Sequence, residues 1–76
     1  MQKIPVTVEL DRFTDGTAEI RSIILGNGRY FRVRRVLHYA AASDGNEGVR
    51  FTVLIGHSEK YIYKAGDKWY VVREEG

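Results

Sequence analysis

Along most of this chain apolar and polar side chains alternate with a period of two, and the breaks fall at turn-forming residues. That is the pattern of half-buried strands joined by tight turns. In the first run, residues 6–11, Val6, Val8 and Leu10 share one face while Thr7, Glu9 and Asp11 share the other. Pro5 stands just before it, where a missing N–H is tolerated. Thr14-Asp15-Gly16 turns the chain into a second run, residues 17–25, whose alternation slips between Ile20 and Ile23. A slip inside a strand reads as a bulge or bend. Gly26-Asn27-Gly28 follows. Its Asn-Gly pair is a strong hairpin signal, because both residues tolerate the positive φ that a tight turn needs.

The third run, residues 29–39, carries Phe31 and Val33 on one face, then loses phase at Val36 and Leu37. A break at Arg34-Arg35 restores it, and a strand that bends mid-length lets a small sheet curl. Residues 40–48 hold Ser43, Asp44, Gly45, Asn46 and Gly48, and are expected to form the longest, mobile loop. The clearest strand is 49–55, with Val49, Phe51, Val53 and Ile55 on one face. Gly56-His57-Ser58-Glu59 reads as a turn, 61–63 as a short strand, Ala65-Gly66-Asp67 as a turn, and 69–72 as the last strand.

No stretch has a useful 3.6-residue apolar period. The expected fold is therefore all-β: a single small domain over residues 1–76, with five or six antiparallel strands in a meander that curls into an SH3-like small barrel or rolled sheet. Its expected core is Val8, Leu10, Ile20, Phe31, Val33, Val36, Val49, Phe51, Val53, Ile55, Ile62, Trp69 and Val71.

An ordered string of residues runs through about the last two-thirds of the chain. It comprises Arg35-Val36-Leu37, Gly48-Val49-Arg50-Phe51-Thr52-Val53, the spaced set Gly56, Glu59, Tyr61, Ile62 and Tyr63, and Lys68-Trp69-Tyr70-Val71. In this string the chain resembles a family of small uncharacterised single-domain bacterial proteins of unknown function. The resemblance implies a bacterial origin and a compact β domain. It brings no activity, ligand or catalytic residue with it.

Composition narrows the function classes. Twelve Lys+Arg against ten Asp+Glu give a formal charge of +2, too small for a strong polyanion-attracting field. Hydrophobic residues make up 43% of the chain, enough to build a core. No apolar run approaches the ~20 residues that span a bilayer, and Met1-Gln2-Lys3-Ile4-Pro5 lacks the apolar segment of a secretory signal. With no cysteine there is no disulfide, thiolate metal site or cysteine nucleophile, which fits a reducing cytoplasm. A 76-residue chain without staples needs an efficient core or self-association. Its aromatics (five Tyr, three Phe, one Trp) are needed for packing before any ligand needs them.

Two surfaces carry candidate chemistry. Between Glu19 and Asp44 there is no acid, while Arg21, Arg29, Arg32, Arg34 and Arg35 interleave with Tyr30, Phe31 and Tyr39. Arginine forks suit phosphate and stack on bases, so Arg29, Tyr30, Arg32, Arg34 and Arg35 are the candidate nucleic-acid contacts. A solvated strand face, neutralised across the sheet by Glu9, Asp11 or Glu47, explains the same pattern more simply. The second surface is an aromatic one made of Tyr61, Tyr63 and Tyr70, set against the simpler reading of aromatic pairs that hold a hairpin together.

Catalysis and metal binding find little support. His38 and His57 lie far apart with no third ligand spaced for zinc. The Asp44-Gly45-Asn46-Glu47-Gly48 loop lacks the carboxylate spacing of a calcium loop. Ser22, Ser43 and Ser58 have no nucleophile-elbow context, and Glu59 and Asp67 would need a cleft to act as an acid–base pair. The expectation is a non-enzyme without cofactor or metal. It acts as a protein-interaction module toward a protein partner or a second copy, with a weak single-stranded nucleic-acid binder as the alternative.

Overall fold

The computed structural model describes residues 2–42 and 48–73. These form seven strands and no helix: β1 (Gln2–Arg12), β2 (Ala18–Leu25), β3 (Tyr30–Arg32), β4 (Arg35–Ala41), β5 (Val49–Ile55), β6 (Ser58–Ala65) and β7 (Lys68–Arg73). All pairs are antiparallel, in the order β3-β2-β1-β7-β6-β5-β4. The chain thus makes two meanders, joined where β1 pairs with β7. The strand count exceeds the expected five or six because the third run breaks into β3 and β4.

Two strands turn this sheet into a curled half-barrel. β1 pairs with β7 through Gln2–Val6, then with β2 from Val6 onward. Pro5 lies inside β1, where the strand has a neighbour on one side only, and this is why its missing N–H is accommodated. The second bend is the β3–β4 step. Val33 N donates to Arg21 O of β2 at 2.9 Å, and the next residue, Arg34, donates from N to Leu54 O of β5 at 2.7 Å. A single peptide thus hands the strand from one meander to the other.

The slip between Ile20 and Ile23 is a bulge, the break at Arg34-Arg35 is the β3–β4 step, and a further bulge lies at Leu37. Glu9 faces Ser22 and Leu10 faces Ile20, so Arg21 is the extra residue. That single insertion lets Ile20 and Ile23, three apart, both point into the core. Leu37 is the extra residue on β4, between the pairs Val36↔Val53 and His38↔Thr52.

The core centres on Ile20, Ile23, Val33, Val53 and Ile62, with Val6, Val8, Leu10, Phe31, Val36, Phe51, Ile55 and Trp69 packed against it. Val49 and Val71, expected inside, stay half-buried outside this cluster. Residues 43–47 of the expected 40–48 loop lie outside the described residues. Ala40 and Ala41 belong to β4, and Ala42 N donates to Gly48 O at 2.9 Å, so the strand runs further than the composition implied. Ser58 and Glu59 are likewise the start of β6, because Gly56-His57 alone makes the β5–β6 turn.

One polar cluster decorates the outer face. Ser22 is fully buried and donates to Glu9 Oε1 at 2.6 Å, while Arg21 bridges Glu9 and Asp11 at 3.2 Å each. The Ser22 hydrogen bond, helped by the Arg21 charge, holds the Glu9 carboxyl below its ordinary pKa. A carboxylate with a lowered folded-state pKa stabilises above its unfolded value and loses that contribution as pH falls through the folded value. We therefore expect the stability of the wild type to fall more steeply than that of Ser22→Ala as pH drops below about 5. Urea midpoints measured at several acidic pH values check this; parallel curves would remove Ser22 as the cause.

Candidate functional site

The β3–β4 step divides the five residues of the arginine strip. Tyr30 and Arg32 point outward from β3, opposite Phe31, and Tyr30 is 55% exposed. Arg34 extends across the step and donates to the Gly56 carbonyl at 3.0 Å, bracing the β5–β6 turn. Arg35 opens β4 and is exposed. Arg29 falls on the other side, with its guanidinium 5.2 Å from the centre of the Phe31 ring. A groove of about 320 Å³ gathers Arg21, Arg32, Arg34 and Arg35. Asp11 and Glu19 line the same groove, and Arg21 is already held by Glu9 and Asp11. Arg32 and Arg35 have no ion-pair partner among the described residues.

The three tyrosines separate too. Tyr63 and Tyr70 stack across β6 and β7 with ring centres 5.1 Å apart, and both are buried. Lys3 Nζ caps the stack 5.2 Å from the Tyr70 ring. Only Tyr61 is open, at 51% exposure, under the Arg50 guanidinium at 4.5 Å. Tyr63 and Tyr70 thus brace the hairpin, and Tyr61 is the exposed member of the set.

Tyr63↔Tyr70 is also the last pair of the β6–β7 ladder. Beyond it the two strands carry no ladder pairs among the described residues. A cleft of about 500 Å³ lies there, lined by Ile23, Leu25, Phe31, Ile55, Tyr61, Tyr63, Val71 and Val72, with Glu59 and Lys60 also at its wall. Among the described residues no cluster of His, Asp and Glu is placed to hold a metal ion, and no helix is long and apolar enough to cross a membrane.

The feature that sequence reasoning missed is β4. It is the outermost strand on its side of the sheet, and six of its seven residues are exposed. Leu37 is 38% and Tyr39 68% exposed. The direction of its backbone groups follows from the β4–β5 turn. Ala42 donates toward β5, and N–H groups two apart on an antiparallel strand point the same way. Ala40 therefore also faces β5, while Tyr39 and Ala41 aim their N–H and C=O groups away from the sheet. The residues 36–41 contain no Pro, Lys or acid, the usual blocks to edge pairing. That composition was visible in the sequence; the absence of a neighbouring strand among the described residues was not.

The aromatic side chains follow the same line. Trp69 and Phe51 have ring centres 5.4 Å apart, and Phe51 and Tyr39 5.9 Å, so a row of rings leads from the core to the exposed edge. Comparison with known proteins yields no match to any family model, curated protein or solved structure.

Proposed function

We propose that this chain is a non-catalytic interaction module that docks a partner polypeptide strand along β4. The observation that supports this reading is the open edge itself: an exposed strand with outward backbone donors and acceptors at Tyr39 and Ala41 and no blocking residue. Added strands gain main-chain hydrogen bonds from such an edge and specificity from the side chains beside it, here Leu37 and Tyr39. The small, cysteine-free chain fits a role in the cytoplasm of a bacterial cell.

The test uses Ala41→Pro, which deletes one outward N–H and leaves the β5-facing bonds in place. A displayed library of extended peptides should yield apolar, β-branched binders to the wild type that lose at least tenfold in affinity for Ala41→Pro. Peptides that bind both proteins equally would place the docking surface elsewhere.

Nucleic-acid binding is the competing reading, and the acids inside the arginine groove weigh against it. Fluorescence anisotropy with labelled single-stranded DNA and RNA at two salt concentrations decides between them. We expect no saturable, salt-sensitive binding at micromolar protein. Micromolar, salt-steep binding abolished by Arg32→Glu with Arg34→Glu would overturn the strand-docking reading in favour of the groove.

A further inference from the structure

Resting on the reading of β4 as a docking edge, we infer that its partner is a second copy of this chain, paired antiparallel along residues 37–41 about a two-fold axis at Tyr39.

Three observations converge on a self-pairing strand. The first is hydrogen-bond direction. An isologous antiparallel pair places one residue opposite itself, and Tyr39 is central to the segment 37–41. Its N–H and C=O both face outward, so two copies exchange both bonds at that position, as an antiparallel hydrogen-bonded pair requires. Leu37 then faces Ala41 of the other copy, and His38 faces Ala40. No like charges are opposed, and the large Leu37 side chain meets a small one.

The second is the aromatic row. Trp69, Phe51 and Tyr39 form a line whose final ring is 68% exposed. Pairing at Tyr39 continues the line into Tyr39, Phe51 and Trp69 of the second copy. Aromatic pairs opposed across strands stabilise a sheet beyond their area alone.

The third is closure. The other edge of the sheet, β3, is only three residues long. Of the two strands that end the strand order among the described residues, β4 is the longer, which favours a two-fold dimer over head-to-tail pairing into fibres. The dimer buries the edge that would otherwise be an aggregation hazard, and it adds burial to a chain with a small core. A contact of this length buries less than a standard interface, so the expected dissociation constant is roughly 10–100 µM.

The experiment is size-exclusion chromatography with light scattering from about 1 to 500 µM protein, alongside amide hydrogen exchange at both ends of that range. The wild type should shift from 8.7 kDa toward twice that mass. The amides of Tyr39 and Ala41 should become protected as it does. Ala41→Pro and Tyr39→Lys, each confirmed as folded by circular dichroism, should stay at 8.7 kDa throughout. A dimer that persists in both variants would overturn the proposed interface. A monomer at every concentration with freely exchanging Tyr39 and Ala41 amides would overturn the self-pairing and leave β4 open to a different strand. A monomer in which those amides are protected throughout would overturn the docking edge as well.

Discussion

Gly48→Ala is expected to remove about half of the stability of the fold. Gly48 sits just before β5 at φ +88°, in the left-handed region that L side chains rarely adopt. Any Cβ there would also strike the carbonyl of Lys64 on β6, which is backbone and cannot swing away. Strain at such a φ costs about 1–3 kcal/mol, and the clash adds about 1–3 kcal/mol more. A domain of this size has roughly 4–11 kcal/mol in total. Gly28 supplies the control. It has φ +84°, but nothing lies within 4 Å of where its Cβ would be. Gly28→Ala should therefore lose only the backbone share, about 1–3 kcal/mol. Urea unfolding of both variants, followed by circular dichroism, separates the two effects. Equal losses would mean that the approach of Gly48 to β6 contributes nothing.

Ile62→Ala carries the second large effect. Ile62 and Val53 are both 0% exposed at the centre of the core, on the paired strands β5 and β6. Truncating a fully buried isoleucine costs about 2–5 kcal/mol, from lost transfer free energy and the cavity left behind. The upper part of that range is expected here. Ile62 is the first residue beyond the last β6–β7 pair, so on the side away from β5 no ladder pair supports β6 there and the core contacts of its side chain matter more. Ile4→Ala, on a half-buried residue outside the core cluster, should lose clearly less. A loss below about 1.5 kcal/mol for Ile62→Ala would show that the neighbours close over the cavity.

These two positions illustrate what the sequence could reveal. The buried face of β5 was legible in the alternation of Phe51, Val53 and Ile55, and Ile62 stood out as the apolar residue between two tyrosines. The slips near Ile20 and at Arg34-Arg35 announced a bulge and a bend, because side-chain period is a local property of the strand. The β1–β7 junction was not legible, since pairing between distant segments leaves no local signature. Gly48 looked like one of several loop glycines, and only the approach of β6 makes it obligatory.

The candidate surfaces divide along the same line. The outward placement of Tyr30 and Arg32 opposite Phe31 followed from parity alone. The burial of Tyr63 and Tyr70 did not, because their shared face is the outer one and is covered by each other and by Lys3. β4 was the least legible feature. Its residues read as the end of a bent strand and the start of a loop, while its importance lies in its place at the end of the strand order of the described residues.

The central claim is that β4 presents a free backbone edge, and amide hydrogen exchange at dilute protein tests it most directly. At about 1 µM, below the expected dimer dissociation constant, the amides of Tyr39 and Ala41 should exchange near the rate of an open chain. Those of Ala40 and Ala42, bonded toward β5, should be slowed by orders of magnitude. That alternation along one short strand is the result this account predicts. Uniform protection of all four amides at that dilution would mean that the edge is already covered within one chain. The docking function proposed for it would then be contradicted.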